Sequence, residues 1–313
     1  MGIVHFAPVG TRPGAVTSAL GYIKHNPDKF PGLVGEGFDE RIESLVLFIS
    51  PEVRNGHAEK ECINNKYGSL SGATWKNRSV VEYIKKFLLE NLMDILPDKS
   101  SIWICTVDPN DHEDCFIKIA TALLTFSEGE KQGKLVWCNI TGGTNILNAS
   151  LIQASILSGR VGSLYYTFLS DIEKYGKYLS PPSVDKTIFD FRVIPFMKIN
   201  FDNFYYRILQ LYEDLDDSAG VSVPDIIGFL KGEGINIDEK IYQTNYLLPM
   251  TGRELIKIGS NNRISEFGRK ILNMIKSPLF RALVDPNERT SENIAKYSSD
   301  ILTKNVWEEI KLK

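Results

Sequence analysis

Short apolar runs alternate with segments of helical period through the first 195 residues, and then the runs stop. The runs at 3–9, 44–50, 101–107, 135–140, 162–168 and 187–195 read as strands. The segments at 15–24, 80–96, 114–126 and 144–158 carry apolar residues every three to four positions and read as helices. Strands alternating with helices build βαβ units. The expected fold is therefore α/β, a Rossmann-like, doubly wound and mostly parallel sheet. Such sheets bind ligands beyond the carboxyl ends of their strands, where the strand order reverses.

Beyond residue 200 the pattern changes to helices at 204–214 and 223–231, with Pro224 suited to a first helical turn. A tight hairpin follows, with arms at 255–258 and 263–264 around 259–262. Ser265 is placed to cap a further helix. Helices, hairpin and helix in that order predict a small winged helix-turn-helix. The expected division is a ligand-binding domain over 1–198, a winged helix over 199–276 and a tail of two weaker helical segments over 277–313.

Two turns carry the chemistry. At the fourth strand, Thr141-Gly142-Gly143-Thr144-Asn145 joins an apolar run to a helix. Glycines there let backbone N–H groups approach an anion, and the helix dipole favours negative charge. At the first strand, Gly10-Thr11-Arg12-Pro13-Gly14 makes the same kind of junction. Thr11 supplies a hydroxyl, and Arg12 a guanidinium able to grip phosphate. Neither turn is Gly-x-Gly-x-x-Gly, and Gly-Lys-Ser/Thr is absent, so dinucleotides and ATP are poor candidates. A phosphate-bearing ligand of another kind is expected.

The rest of the composition narrows the field. The chain has 313 residues, 43% hydrophobic and 24% charged, with a net charge of −3. No global basic excess points to nucleic acid, so such a contact would need a local patch. Cys62, Cys105, Cys115 and Cys138 form no Cys-x-x-Cys pair, and the four histidines are scattered, so no metal site is expected. No apolar run is long enough to span a membrane, and the first residues lack a basic leader. A cytoplasmic protein is expected.

The run Gly10-Thr-Arg-Pro-Gly-Ala-Val-Thr-Ser-Ala-Leu20, taken with Thr141-Gly-Gly-Thr144 before the fourth helix, resembles the CARF domain of CRISPR-associated proteins. The resemblance covers about residues 1–195. It extends further because CARF followed by a winged helix occurs in CRISPR ring nucleases and in CARF-type transcription regulators. It implies a homodimer binding cyclic oligoadenylate, most often the four-membered ring, through Gly10, Arg12, Gly14, Thr141, Gly142, Gly143, Thr144 and Asn145. For a ring nuclease it implies metal-independent cleavage, in which a ribose 2′-hydroxyl attacks its neighbouring phosphate. A first-turn hydroxyl, here Thr11, and a lysine after the fifth strand, Lys174 or Lys177, would assist. Two positions depart from the family pattern. Arg12 stands where serine is common, and Asn145 where lysine is common. The aromatics of Tyr165-Tyr166-Thr167-Phe168 are available to adenines or to the strand core.

The C-terminal third separates the remaining classes. No Arg is followed by a nearby His there, since the last histidine is His112. That excludes a HEPN ribonuclease centre. Lys257, Arg263, Arg269 and Lys270 would decorate the wing and the next helix within reach of DNA phosphates. The recognition helix, around 242–248, is poor in basic residues. A winged helix can also serve only to dimerise. That leaves a ring nuclease, favoured by the thin recognition helix, a ligand-gated regulator without catalysis, and, third, an unrelated nucleotide-binding α/β protein.

Overall fold

The computed structural model describes residues 3–26, 42–57, 79–92, 100–127, 135–158, 160–169, 189–194, 203–215, 220–252, 255–259, 261–284, 292 and 307–312. The chain divides into two units, Met1–Ile199 with Pro286–Lys313, and Asn200–Asp285.

The first unit is built on one sheet. Its strands are β1 (Ile3–Val9), β2 (Ile42–Ile49), β3 (Ser101–Thr106), β4 (Leu135–Asn139), β5 (Val161–Leu169), β6 (Phe189–Val193) and β9 (Trp307–Lys311). They stand in the order β6-β5-β4-β1-β2-β3-β9. The five inner strands are parallel, and β6 and β9 pair antiparallel at the two edges. The Rossmann-like, mostly parallel sheet expected from the sequence is thus the observed one. Every residue of β1 is buried, as befits a central strand covered on both faces.

Helices cover the two faces. On one, Ile3, Ala7, Val9, Leu47 and Ile49 pack with Val16, Leu20 and Ile23 of α1 (Gly14–His25) and with Ile84 and Phe87 of α3 (Val80–Asn91). A short α2 (Pro51–Asn55) follows β2. Residues of the other parity on β1 face the opposite layer. Phe6 meets Phe48 of β2 and Phe126 of α4 (His112–Ser127), with ring centroids 5.4 and 6.3 Å apart. The helix α5 (Asn145–Ser158) shares this layer, its Ser155 Oγ lying 3.7 Å from Cys138 Sγ of β4.

The tail expected to be helical over 277–313 is corrected in two ways. Its first part is the helix Pro278–Val284 of the second unit, but Trp307–Lys311 is a strand that closes the β3 edge. An open β3 edge would present unpaired N–H and C=O groups, and β9 satisfies them. Trp307 packs against Phe48 and Phe126, and Glu308 pairs with Arg54, which also donates to Thr106 Oγ1 at 3.0 Å. The segment from Pro286 therefore belongs with the first unit, not with a separate tail.

The second unit comprises α6 (Asn203–Asp214), α7 (Val223–Gly232) and α8 (Glu239–Tyr242). A π-helical turn, Gln243–Leu247, leads from α8 into α9 (Leu248–Gly252). The hairpin of β7 (Ile256–Lys257) and β8 (Arg263–Ile264) follows, then α10 (Glu266–Lys276) and α11 (Pro278–Val284). Ser265 caps α10, accepting from Gly268 N–H at 2.8 Å, and Ser222 with Asp225 forms a capping box on α7. Ile208, Tyr212, Ile226, Tyr242 and Leu272 form its core, with the two tyrosine hydroxyls 3.0 Å apart.

Candidate functional site

The sheet reverses its order between β1 and β4, which are neighbours although β2, β3 and four helices lie between them in sequence. Both glycine turns lie there, one after each strand. They are adjacent: a Cβ built on Gly10 would stand 3.7 Å from the Gly143 amide nitrogen. The two turns therefore form a single surface at the carboxyl edge of the sheet, at the switch point where such folds hold ligands.

Packing against β1 dictates the glycines of the second turn. A Cβ on Gly142 would come within 2.6 Å of the Pro8 carbonyl oxygen. Gly143 has φ +79°, and a Cβ there would lie 2.5 Å from Pro8 Cβ. No L side chain fits either position without moving β1. Gly143, Thr144 and Asn145 are exposed, and among the described residues no acceptor meets their N–H groups.

Asn139, at the end of β4 and only 1% exposed, fixes this turn. Its Nδ2 donates to the Ala15 carbonyl of α1 at 2.9 Å. Its Oδ1 accepts from Thr141 N–H at 2.9 Å and from Thr141 Oγ1 at 2.5 Å. One amide side chain thus joins the first turn of α1 to the turn after β4. The Thr141 hydroxyl also accepts from Thr167 N–H of β5 at 2.8 Å and lies 3.1 Å from Thr167 Oγ1. Thr144 Oγ1 accepts from Leu147 N–H and donates to Pro109 O, both at 3.3 Å, so it caps α5 and ties it to the loop after β3.

The two threonines expected at a phosphate therefore hold the turn, and the groups turned outward are backbone amides. The sequence did not single out Asn139 or Thr167. A polar residue closing an apolar strand was the available signal for Asn139. Of the first-turn residues, Thr11 and Arg12 are exposed, Gly10 is half-buried and Gly14 is buried beneath them. Lys174 and Lys177 lie outside the described residues.

The two helices that begin at the switch point differ from the others in charge. The first turns of α1 and α5 contain no acidic residue, whereas α2, α3 and α4 carry Glu52, Glu82, and Glu113 with Asp114 in theirs. Acidic side chains neutralise the positive end of a helix. At the switch point that end is left uncompensated on both helices. The carboxylates after β3 are held in their own loop, with Asp111 accepting from Glu113 and Asp114 N–H and Asp114 bound to Lys118 at 2.7 Å.

No thiol or imidazole of the described core is poised for chemistry. Burial pushes Cys138 up to about 12 and Cys115 up to about 11. His5, buried in β1 and bonded through Nε2 to the Tyr165 hydroxyl, is driven down to about 3 by desolvation and stays neutral. Among the described residues no group of three or more His, Cys, Asp or Glu could hold a metal ion, and no helix is long and apolar enough to cross a membrane.

No protein-family model matches the chain. An Archaeoglobus fulgidus protein described only as an uncharacterized protein is 28% identical over 208 residues, which is 59% of this chain and 62% of that protein. The match thus spans under two thirds of the relative's length. Among solved structures, Enterococcus italicus Csm6 bound to cyclic hexa-2′-fluoro-hexa-dAMP aligns over 97% of this chain and 69% of its own, with 12% identity and a TM-score of 0.39.

Proposed function

We propose that this chain is a cytoplasmic, homodimeric CRISPR-associated protein that binds cyclic oligoadenylate, the four-membered ring above others, and opens it without a metal. One observation carries the binding: two adjacent glycine turns at the switch point, with exposed residues 143–145 whose N–H groups have no acceptor among the described residues, and no acidic residue in the first turn of either following helix. A phosphodiester placed there meets oriented N–H donors and the positive ends of two dipoles. Arg12, exposed on the first turn, adds a guanidinium. The sequence resemblance to CARF domains supplies the identity of the ligand. Two copies of the surface across a two-fold axis suit a ring of even symmetry.

Cleavage asks for positioning and charge stabilisation. The 2′-hydroxyl of one ribose forms a bond to the adjacent phosphorus and the bond to the 5′-oxygen breaks. The attacking hydroxyl loses its proton and the departing oxygen gains one. The products are a 2′,3′-cyclic phosphate and a 5′-hydroxyl. In this reading Thr11 orients the reacting ribose, backbone amides hold the phosphate, and Lys174 or Lys177 stabilises the leaving oxygen. Purified protein incubated with labelled cyclic tetra-adenylate in EDTA tests it. A linear product with a cyclic-phosphate end is expected. Tight binding without turnover over hours would leave a sensor and end the nuclease reading. Absence of binding would end both.

A second reading has its own observation. The helical stretch 239–247 exposes Lys240, Gln243, Thr244 and Asn245, and the neighbouring hairpin and α10 expose Lys257, Arg263, Arg269 and Lys270. Amides and hydroxyls on a helix beside cations on a wing suit DNA. This is the regulator, in which a winged helix answers to ligand without catalysis. DNA affinity that changes when the ring is added would support it.

A further inference from the structure

The aromatic run on β5 separates into two roles. Tyr165 is fully buried and stacks on Phe191 with centroids 4.4 Å apart, so it belongs to the core. Tyr166 and Phe168 are 38% and 46% exposed, and among the described residues neither ring meets another ring. A strand alternates its faces, so these two side chains stand on the same side, opposite Tyr165 and Thr167.

That side adjoins the anion surface. Cys138 pairs in register with Leu164, and Cys138 lies against Ser155 of α5, so Leu164, Tyr166 and Phe168 share the face that carries α5. Their height along the sheet is fixed as well. Ile140 N–H donates to Tyr165 O at 2.9 Å, and Thr167 N–H donates to Thr141 Oγ1. The two rings therefore flank the level of Thr141, beside the turn that leads into the α5 N-terminus.

We propose that Tyr166 and Phe168 form the base-binding part of this site, holding one adenine between them while the attached phosphate meets the Gly143–Asn145 amides. A rise of about 3.3 Å per residue sets their Cβ atoms about 6.6 Å apart. That spacing leaves room for one flat heterocycle when the two rings turn parallel, as aromatic side chains do in stacking on bases. Arg192, the exposed cross-strand partner of Tyr166, adds a cation on the same face, which suits a ligand carrying both a π-system and phosphates. The sheet itself does not call for this pair. Apolar contact at the β5–β6 edge comes from Tyr165 and Phe191 on the other face.

The inference rests on the anion reading of the glycine turns, and binding measurements separate the two. Affinity for cyclic tetra-adenylate is compared among wild type, Tyr166→Ala, Phe168→Ala, the ring-keeping Tyr166→Phe and Phe168→Tyr, and Gly143→Ala. Each alanine variant is expected to bind about 5- to 150-fold more weakly, the effect of removing one stacking partner. The ring-keeping variants should stay within about threefold of wild type, and Gly143→Ala should lose binding. Wild-type affinity in both alanine variants, with binding lost in Gly143→Ala, would overturn the base site and leave the anion site standing. A loss in the alanine variants that tracks dissociation into monomers would assign the rings to a subunit contact and overturn it too. No binding by wild type would remove both readings.

Discussion

At the scale of single residues, the switch point depends on a side chain with no direct part in holding a ligand. Asn139 is buried and uses both ends of its amide, one toward α1 and one toward Thr141. Its loss would remove the tie to α1 and leave the Thr141 amide and hydroxyl without their Asn139 acceptor, at about 1–3 kcal/mol for a buried polar group left unsatisfied. Asn139→Ala should therefore lower the melting temperature by several degrees. It should also weaken ring binding, because the amides of 143–145 lose their anchorage. Asn139→Asp keeps the two acceptances and loses the donor, while placing a carboxylate behind the proposed anion site. It should recover more stability than affinity. Equal recovery of both in thermal melts and ligand titrations would make Asn139 a purely structural residue. The glycines and threonines of this turn were legible in the sequence because special residues at a strand-to-helix junction have few uses. What Thr141 does was not legible. Its partners, Asn139 and Thr167, are 2 and 26 residues away, and only the sheet brings the second one near.

At the scale of elements, the long buried strands were plain from their runs of Val, Ile, Leu and Phe, and the helices from their period. The β9 strand was not. Trp307-Glu-Glu-Ile-Lys311 is five residues with three charges and no clean alternation, so local pattern favours nothing. Its conformation comes from outside the segment, from the open hydrogen-bonding edge of β3 and the Phe48–Phe126 surface that receives Trp307. Tertiary context overrides propensity most easily in such short edge strands. Deleting 307–313 should expose the β3 edge and that aromatic surface together. The shortened chain is expected to melt several degrees lower and to self-associate, as an uncovered edge invites. Scanning calorimetry and light scattering would measure both, and an unchanged melting profile would mean that β9 is dispensable to the sheet.

At the scale of the whole molecule, the chain leaves its sheet after Ile199, builds an independent core, and returns at Pro286 to finish the sheet. The sequence marked the first crossing through the end of strand signals. It gave no sign of the second, because a return strand of five residues carries too little pattern. This topology bears on the choice between nuclease and regulator. A ligand at the switch point stabilises the unit that binds it by about 2.7 kcal/mol at one hundred times its dissociation constant. Hydrogen exchange can locate that stabilisation. If the ring is bound and processed within the first unit, the amides at 12–18 and 141–148 should exchange more slowly with ligand, and those of α7, α8 and α10 should be unchanged. If the chain is a regulator, ligand must bias the second unit, since an equilibrium shifts only by differential binding to its states. Protection or deprotection would then appear in the stretch 239–252 and the hairpin at 256–264. Ligand-dependent exchange there, with no linear product formed, would decide for the regulator.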